Sequence, residues 1–209
     1  MMSATGRPAS ALLGALLLSA LLVGCQAESV VDEQPAPETA VDEGDQSDAD
    51  ELIREFSLPT ICQDILPDAA IEELTSGGIT LLRGPGSGST DSVYPEGPSP
   101  QEERGGLSCL FGNADETATY TLSIAPITQL SRSEVIDGLL AQQLNPGQTA
   151  DGVLTYWIQG DQATVPAIYN AVYTDAWYEA LVFPGGRVAY EEASSLVSEM
   201  REHTMQVVG

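Results

Sequence analysis

An apolar run near the start of the chain, residues 11–23, decides which part of the sequence can fold as a domain. One cation, Arg7, and no acidic residue precede the run, and its exit is made of small residues. This layout is typical of a secretory signal. The run is too short to cross a bilayer, which takes about 20 apolar residues. We therefore predict a signal peptide over residues 1–24 and a mature chain that folds outside the cytoplasm, where disulfides persist.

The signal ends in Leu22-Val23-Gly24-Cys25, which resembles the lipobox of bacterial lipoproteins. The resemblance implies that the Cys25 thiol carries a diacylglycerol and that cleavage makes Cys25 the first residue. Palmitate and similar acyl chains would hold the protein firmly in the membrane, because each buried methylene contributes about 0.8 kcal/mol to the binding free energy. The alternative is an ordinary cleaved signal in which the cysteine occurs by chance. The expected location is the extracytoplasmic face of the cell membrane, with the lipid on Cys25 as the anchor.

Residues 25–56 are predicted to form a disordered acidic tether. Acidic residues, Pro, Ser and Ala dominate residues 26–50, and no aromatic residue occurs there. Such a composition buries too little apolar surface to offset the entropy lost on ordering. The aspartates of this stretch do not follow the order of an EF-hand calcium loop. Residues 51–56, at its end, are expected to add a short helical turn.

The charge of the chain narrows the choice of partners. It has 31 acidic residues against 7 basic ones, for a formal net charge of -24, and every base is an Arg. Such a surface repels nucleic acid phosphates and anionic head groups, so no nucleic-acid partner is expected. It favours cations and basic partners. The remaining residues, 57–209, have the length of a single extracytoplasmic domain.

Two cysteines remain once Cys25 is assigned to the lipid: Cys62 and Cys109. An even pair in an oxidising compartment predicts a disulfide. Closing a loop of this length stabilises a fold by about 4 kcal/mol in the chain-entropy model. The alternative is two buried free thiols.

Hydrophobic periodicity indicates an α+β fold in which helices pack on an antiparallel β-sheet. The predicted order is a helix over 67–76, a strand over 79–82, strands over 107–111 and 118–125, a helix over 131–144, a strand over 153–159, a hairpin of 167–173 with 176–183, and a helix over 190–204. The Gly/Pro/Ser-rich segment 83–106 is predicted to be a mobile loop, with a binding role as the alternative.

Local signals set the ends of the two long helices. Ser131-Arg132-Ser133-Glu134 has the form of a capping box, and Asn145-Pro146-Gly147 is expected to end the helix that follows. In the last helix, acids at the start and Arg201 and His203 at the end suit the helix dipole. Its predicted inner stripe is Ala193, Leu196, Val197 and Met200.

Around its two cysteines the chain resembles a group of actinobacterial lipoproteins of unknown function. The resemblance lies in Ile61-Cys62-Gln63-Asp64-Ile65-Leu66-Pro67 and in Leu107-Ser108-Cys109-Leu110-Phe111-Gly112. It implies a Cys62–Cys109 bridge and a sheet-and-helix domain similar to PsbP-like folds. It implies no activity, since none is established for the group.

No catalytic constellation stands out in the sequence, so we expect no enzyme activity, cofactor or metal site. His203 is the only histidine, and no Gly-x-Ser-x-Gly elbow supplies a nucleophile for it. The neighbouring acids Glu102-Glu103 and Glu191-Glu192 are interpreted as solvated surface groups, with binding of a hard cation or an acid/base pair as the alternatives. Six aromatic residues on the late strands are interpreted as core, with a binding face as the alternative: Tyr156, Trp157, Tyr169, Tyr173, Trp177 and Tyr178.

Two functional hypotheses follow. The first is a non-enzymatic accessory lipoprotein that contacts protein partners of the cell envelope through the sheet or the long loop. The second is a ligand-binding lipoprotein with a pocket for a small apolar molecule or a cation. A cavity lined by the late aromatics would favour the second hypothesis.

Overall fold

The computed structural model describes residues 53–208. The predicted signal peptide, the lipidation site Cys25 and nearly all of the predicted tether lie outside the described residues. Within residues 53–208, no helix combines the length and the apolar character needed to span a bilayer.

The chain forms four α-helices and nine β-strands in the described residues. The helices are α1 (Asp68–Ser76), α2 (Pro100–Glu103), α3 (Gln129–Ala141) and α4 (Arg187–Thr204). The strands are β1 (Arg54–Phe56), β2 (Thr80–Arg83), β3 (Leu107–Gly112), β4 (Thr119–Pro126), β5 (Asn145–Gln148), β6 (Leu154–Ile158), β7 (Ala167–Val172), β8 (Ala176–Phe183) and β9 (Met205–Val207). A single 3-10 turn, Cys62–Asp64, precedes α1.

Seven strands form one antiparallel sheet in the order β2-β3-β4-β8-β7-β6-β5, and β1 pairs with β9 in a small second sheet. The predicted hairpins β3–β4 and β7–β8 both form, and in each the two strands are direct neighbours. The fold is therefore α+β with an antiparallel sheet, as the periodicity predicted.

One face of the large sheet, which we call the α4 face, holds the main core. Side chains that alternate along β3, β4 and β8 point to it and pack beneath α4 and the segment around Cys62. The predicted inner stripe of α4 is buried throughout. The disulfide between Cys62 and Cys109 is confirmed, with the two Cα atoms 5.6 Å apart, and it joins the 3-10 turn to β3.

The opposite face, which we call the strap face, is covered by two pieces of chain. Helix α3 packs over one end with a smaller apolar cluster that includes Val135, Leu139 and Trp177. The connection between β2 and β3, residues 84–106, crosses the rest, and we call it the strap. It contains α2, and its Val93, Ser99 and Gln101 are buried. The strap is thus a packed element with its own helix, in contrast to the predicted mobile loop.

Several local predictions were wrong. Residues 54–56 form β1 where a helical turn was expected, because their backbone pairs with residues 205–207. The capping box uses Thr128 and Ser131, three residues upstream of the predicted one. Asn145–Pro146–Gly147 does not merely stop a helix but forms edge strand β5, a place where a Pro is tolerated because one side of the strand needs no partner. Helix α4 begins at Arg187, so its first turn carries no acid.

Candidate functional site

A groove of about 610 Å³ runs between α1 and α4 beside the exposed end of β4. We call it the acidic groove. Apolar side chains form its floor, and three carboxylates and two polar side chains stand along its sides. The lining residues are Ala70, Glu73, Leu74, Gly77, Ile79, Ala118, Tyr120, Glu192, Ser195, Leu196 and Glu199.

Helical spacing places these side chains together. Ala70 and Leu74 are four residues apart on α1, and Glu192, Ser195 and Glu199 follow the three-and-four spacing of one face of α4. The same face carries Leu196 at its buried edge. One face of α4, apolar at its buried edge and acidic toward solvent, therefore forms a wall of the groove.

The electrostatics of the groove are one-sided, because no Arg of the described residues lines it. The Arg residues at the end of β2 and the start of α4 are paired with acids, Arg83 with Glu116 and Arg187 with Glu191. Burial, the charge of Glu192 and a hydrogen bond donated to Glu192 raise the pKa of Tyr120 to about 12. Tyr120 is therefore a neutral donor at physiological pH, and its hydroxyl adds no charge to the groove.

The late aromatic residues pack in the core and do not form a binding face. Tyr156 and Trp177 lie on the strap face and are buried. On the α4 face, the ring of Tyr190 lies 5.0 Å from Trp157 and 5.9 Å from Tyr169, measured between centroids. Tyr178 is fully buried, and its hydroxyl is 2.7 Å from the hydroxyl of Thr204. The interpretation as core is confirmed.

The neighbouring acids singled out in the sequence have structural roles or simple surface positions. The Glu102 carboxylate accepts a hydrogen bond from the Ser99 amide at 2.7 Å and so closes the capping box of α2. Glu191 accepts from Arg187 at 2.8 Å, one turn along α4. His203 is exposed in the last turn of α4, beside a shallow pocket formed with residues 57–60.

A row of buried polar residues crosses the strap face and was not foreseen from the sequence. Strand register aligns them, since Ser108 pairs with Ser123, Ser123 with Glu179, and Glu179 with Asn170. Directly paired residues point to the same face of a sheet. All four side chains are at most 9% exposed. We call these four residues the polar row.

The strap completes the hydrogen bonds of the polar row. The Ser99 and Ser108 hydroxyls are 2.6 Å apart, and the Ser108 and Ser123 hydroxyls are 2.9 Å apart. Gln101 Nε2 donates to Glu179 Oε1 at 3.1 Å. At the far end of the row, Asn170 Oδ1 accepts from Trp177 Nε1 at 2.7 Å. Polar contacts therefore hold the strap to the sheet.

Glu179 is the one acid of the row, and its surroundings favour the neutral form. Burial raises its pKa to about 7, against the lowering effect of hydrogen bonds from Gln101 and Asn170. A signal for this residue exists in the sequence: an acid interrupts the otherwise apolar and aromatic run of β8. The alternation of that strand predicts that Glu179 shares a face with Trp177, but not that the strap covers it.

No cluster of three or more His, Cys, Asp or Glu side chains suited to a metal ion lies in the part of the chain that the structure describes. The resemblance to actinobacterial lipoproteins and to PsbP-like folds stays a prediction. Compared with known proteins, the chain matches no family model, no curated protein and no solved structure.

Proposed function

We propose that the protein is a lipid-anchored accessory protein on the extracytoplasmic face of the cell membrane, with no enzymatic activity of its own. In this proposal the acidic groove receives a cationic, partly apolar segment of another envelope protein. The lipid on Cys25 holds the domain near the membrane, and the acidic tether lets it reach its partner.

The observation that carries the proposal is the combination of floor and walls in the acidic groove. Its apolar floor gives a partner segment area to bury. The side chains of Glu73, Glu192 and Glu199 attract Lys or Arg and repel acidic segments and anionic head groups. An amphipathic basic helix or strand has both properties on adjoining faces, which matches the groove.

The second hypothesis, a pocket for a small apolar molecule, has less support. The aromatic residues that would line such a pocket are packed in the core. The acidic groove contains one aromatic side chain, Tyr120, and it is open along its length. An open groove fits an extended chain segment better than it encloses a small molecule.

Binding of model peptides to the full-length protein in neutral phosphatidylcholine nanodiscs tests the groove. The probes are an amphipathic peptide with Lys on one face and Leu on the other, and its counterpart with Glu in place of Lys. We expect the Lys peptide alone to bind. Glu192→Gln with Glu199→Gln should weaken its binding about tenfold, because each charge at a rim contributes up to about 1 kcal/mol.

The matched control is Glu72→Gln with Glu202→Gln, which changes the net charge equally at two exposed positions outside the groove. This control should bind like the unaltered protein. Equal binding of the Glu peptide, or equal loss in both double variants, would show attraction by overall charge and would contradict the groove as the binding site.

The anchor has a separate test. Cys25→Ala removes the thiol that would carry the lipid, so we expect the protein to move from the membrane fraction to the soluble extracytoplasmic fraction. Cell fractionation with immunodetection measures the distribution. If the variant stays with the membrane, another anchor is present.

A further inference from the structure

We propose that the strap is a pH-sensitive latch, held closed on the polar row by protonated Glu179 and released when that carboxyl loses its proton. The inference concerns the strap face and is independent of the acidic groove. Three features of the strap face support the latch: the pairing of Glu179 with Gln101, the lack of a cation beside the Glu179 carboxyl among the described residues, and the attachment of the strap at its two ends.

The amide of Gln101 is only half satisfied. Its Nε2 donates to Glu179 Oε1 at 3.1 Å, while its Oε1 is buried without a hydrogen-bond partner among residues 53–208. A carboxylate has no hydrogen to offer that oxygen, but a carboxylic acid does. A protonated Glu179 can therefore pair with Gln101 through both atoms of the amide, N–H to oxygen in one direction and O–H to oxygen in the other.

Within the described part of the chain, the groups that face Glu179 provide no positive charge to stabilise its ionised form. From the strap they are the Gln101 amide and the Tyr94 phenol, with Glu102 nearby, and from the sheet they are Ser123 and the Asn170 amide. Burial and the Glu179 charge raise the pKa of Tyr94, so this phenol stays neutral. The one Arg of the strap, Arg104, pairs with Glu134 at 3.6 Å.

The strap is fixed at its ends and held in the middle by hydrogen bonds between neutral groups. At its start, the Cys62 amide donates to the Pro85 carbonyl at 2.8 Å, next to the disulfide. Gly88 and Gly105 have positive φ angles, and the space beside their Cα atoms is open. Rotation at these two points lets residues 89–104 lift from the sheet while the disulfide and β3 stay in place.

Loss of the proton makes the closed state costly, because an isolated buried carboxylate is poorly solvated. Lifting the strap brings Glu179 into water and restores an ordinary carboxyl. With a pKa of about 7 when closed and 4.5 when open, linkage of one proton raises the open fraction about 30-fold between about pH 5.5 and pH 8.5. The open fraction rises through this interval and levels off above about pH 7.

Hydrogen–deuterium exchange of the full-length protein in nanodiscs, corrected for intrinsic exchange, tests the latch. The reporters are the strap amides of Glu102, Glu103 and Gly106, whose hydrogen bonds close α2. A helix of four residues is not stable away from the sheet, so these bonds open when the strap lifts. We expect their exchange to rise about 30-fold from about pH 5.5 to pH 8.5, with no comparable change in β7 or β8. Glu179→Gln, a neutral isostere, should remove the pH response. Glu103→Gln, on an exposed acid of the same helix, should leave it unchanged.

Three results overturn the proposal: no pH response in the unaltered protein, a response that survives in Glu179→Gln, or a rise that continues tenfold per pH unit above about pH 8. The last would mean that the controlling group still titrates above about pH 8, which a carboxyl with a pKa of about 7 does not do. Because the shape of the unaltered protein's profile is itself decisive, the proposal remains testable even if Glu179→Gln does not fold.

Discussion

The two faces of the seven-stranded sheet are covered in opposite ways. The α4 face is packed with apolar and aromatic side chains, and a disulfide joins its covering segment to β3. The strap face, over its middle, is held by hydroxyl, amide and carboxyl groups that bond one another. Apolar packing depends little on pH, whereas the strength of a buried polar network changes when one of its members gains or loses a proton. One sheet therefore supports both a core that is insensitive to pH and a cover whose stability depends on pH.

The largest expected effect is on the α4 face. Cys62→Ser should lower the free energy of unfolding by about 4 kcal/mol, because the disulfide closes a loop with a sequence separation of 47. For a domain of this size that is about 10 °C in the melting temperature. Thermal melts with and without reductant measure it, and reduction of the unaltered protein should give the same loss. An unchanged melting temperature in both cases would contradict a stabilising role for the disulfide.

The next effect belongs to the strap face and depends on pH. The pKa of Glu179 is raised to about 7 in the fold from 4.5, so the stabilising contribution of its bound proton is complete below about pH 4.5 and is lost as pH rises through 7. Glu179→Gln cannot ionise. At about pH 8, the unfolding free energy of this variant should therefore be about 3 kcal/mol higher than that of the unaltered protein. Near pH 4 the two unfolding free energies should be equal.

Chemical denaturation at the two pH values gives both numbers. Asp161, an exposed loop acid, serves as a control because its pKa is shifted in the opposite direction. The backbone amides of residues 163–165 donate to it and lower its pKa to about 2. Asp161→Asn should not change the pH response between 4.5 and 7. A pH response shared by both variants would remove Glu179 as its source.

A smaller effect is expected inside the polar row. Ser108→Ala removes the central hydroxyl and leaves those of Ser99 and Ser123 without this partner. Unmet buried hydroxyls cost about 1–3 kcal/mol. The loss should appear in the unfolding free energy and in faster exchange of the strap amides. Thr204→Val, which removes one hydroxyl from the α4 face, should lower stability without changing strap exchange.

The smallest effect concerns the start of α3. Thr128→Ala should cost about 1 kcal/mol, because Thr128 accepts a hydrogen bond from the Ser131 amide and forms the capping box. Glu134→Ala, at the position the sequence pattern favoured for the box, should cost less than half of this. Unfolding curves of the two variants decide between the two starts. Equal losses would mean that the helix end does not depend on this box.

Much of the fold was predictable because strands and helices carry their period in the sequence. The alternation of β4 and the hairpin β7–β8 was readable from local residues, as was the buried stripe of α4. The disulfide followed from the even pair of cysteines in a chain predicted to be exported. Strands β1 and β5 were missed because they are short. Strand β1 depends on a partner distant in sequence, β9, and β5 lies at the edge of the sheet, where a Pro is accepted.

The candidate sites were less predictable, for a different reason. The acidic groove needs α1 beside α4, and the polar row needs Ser108, Ser123, Glu179 and Asn170 to meet at one register across four strands. Each of these residues looks ordinary in its own segment. Their chemistry comes from their neighbours, which local periodicity does not specify.

By itself, the sequence determined the acidic composition, the pairing of the two domain cysteines and the helix and strand periods, because each depends on residues near one another in the chain or on a simple count. The tertiary structure alone decided that residues 84–106 cross the sheet and that Glu179 is buried beneath Gln101. Strand register and the closure of a long connection bring those groups together. Burial then changes the proton affinity of a carboxyl that would be an ordinary surface acid elsewhere.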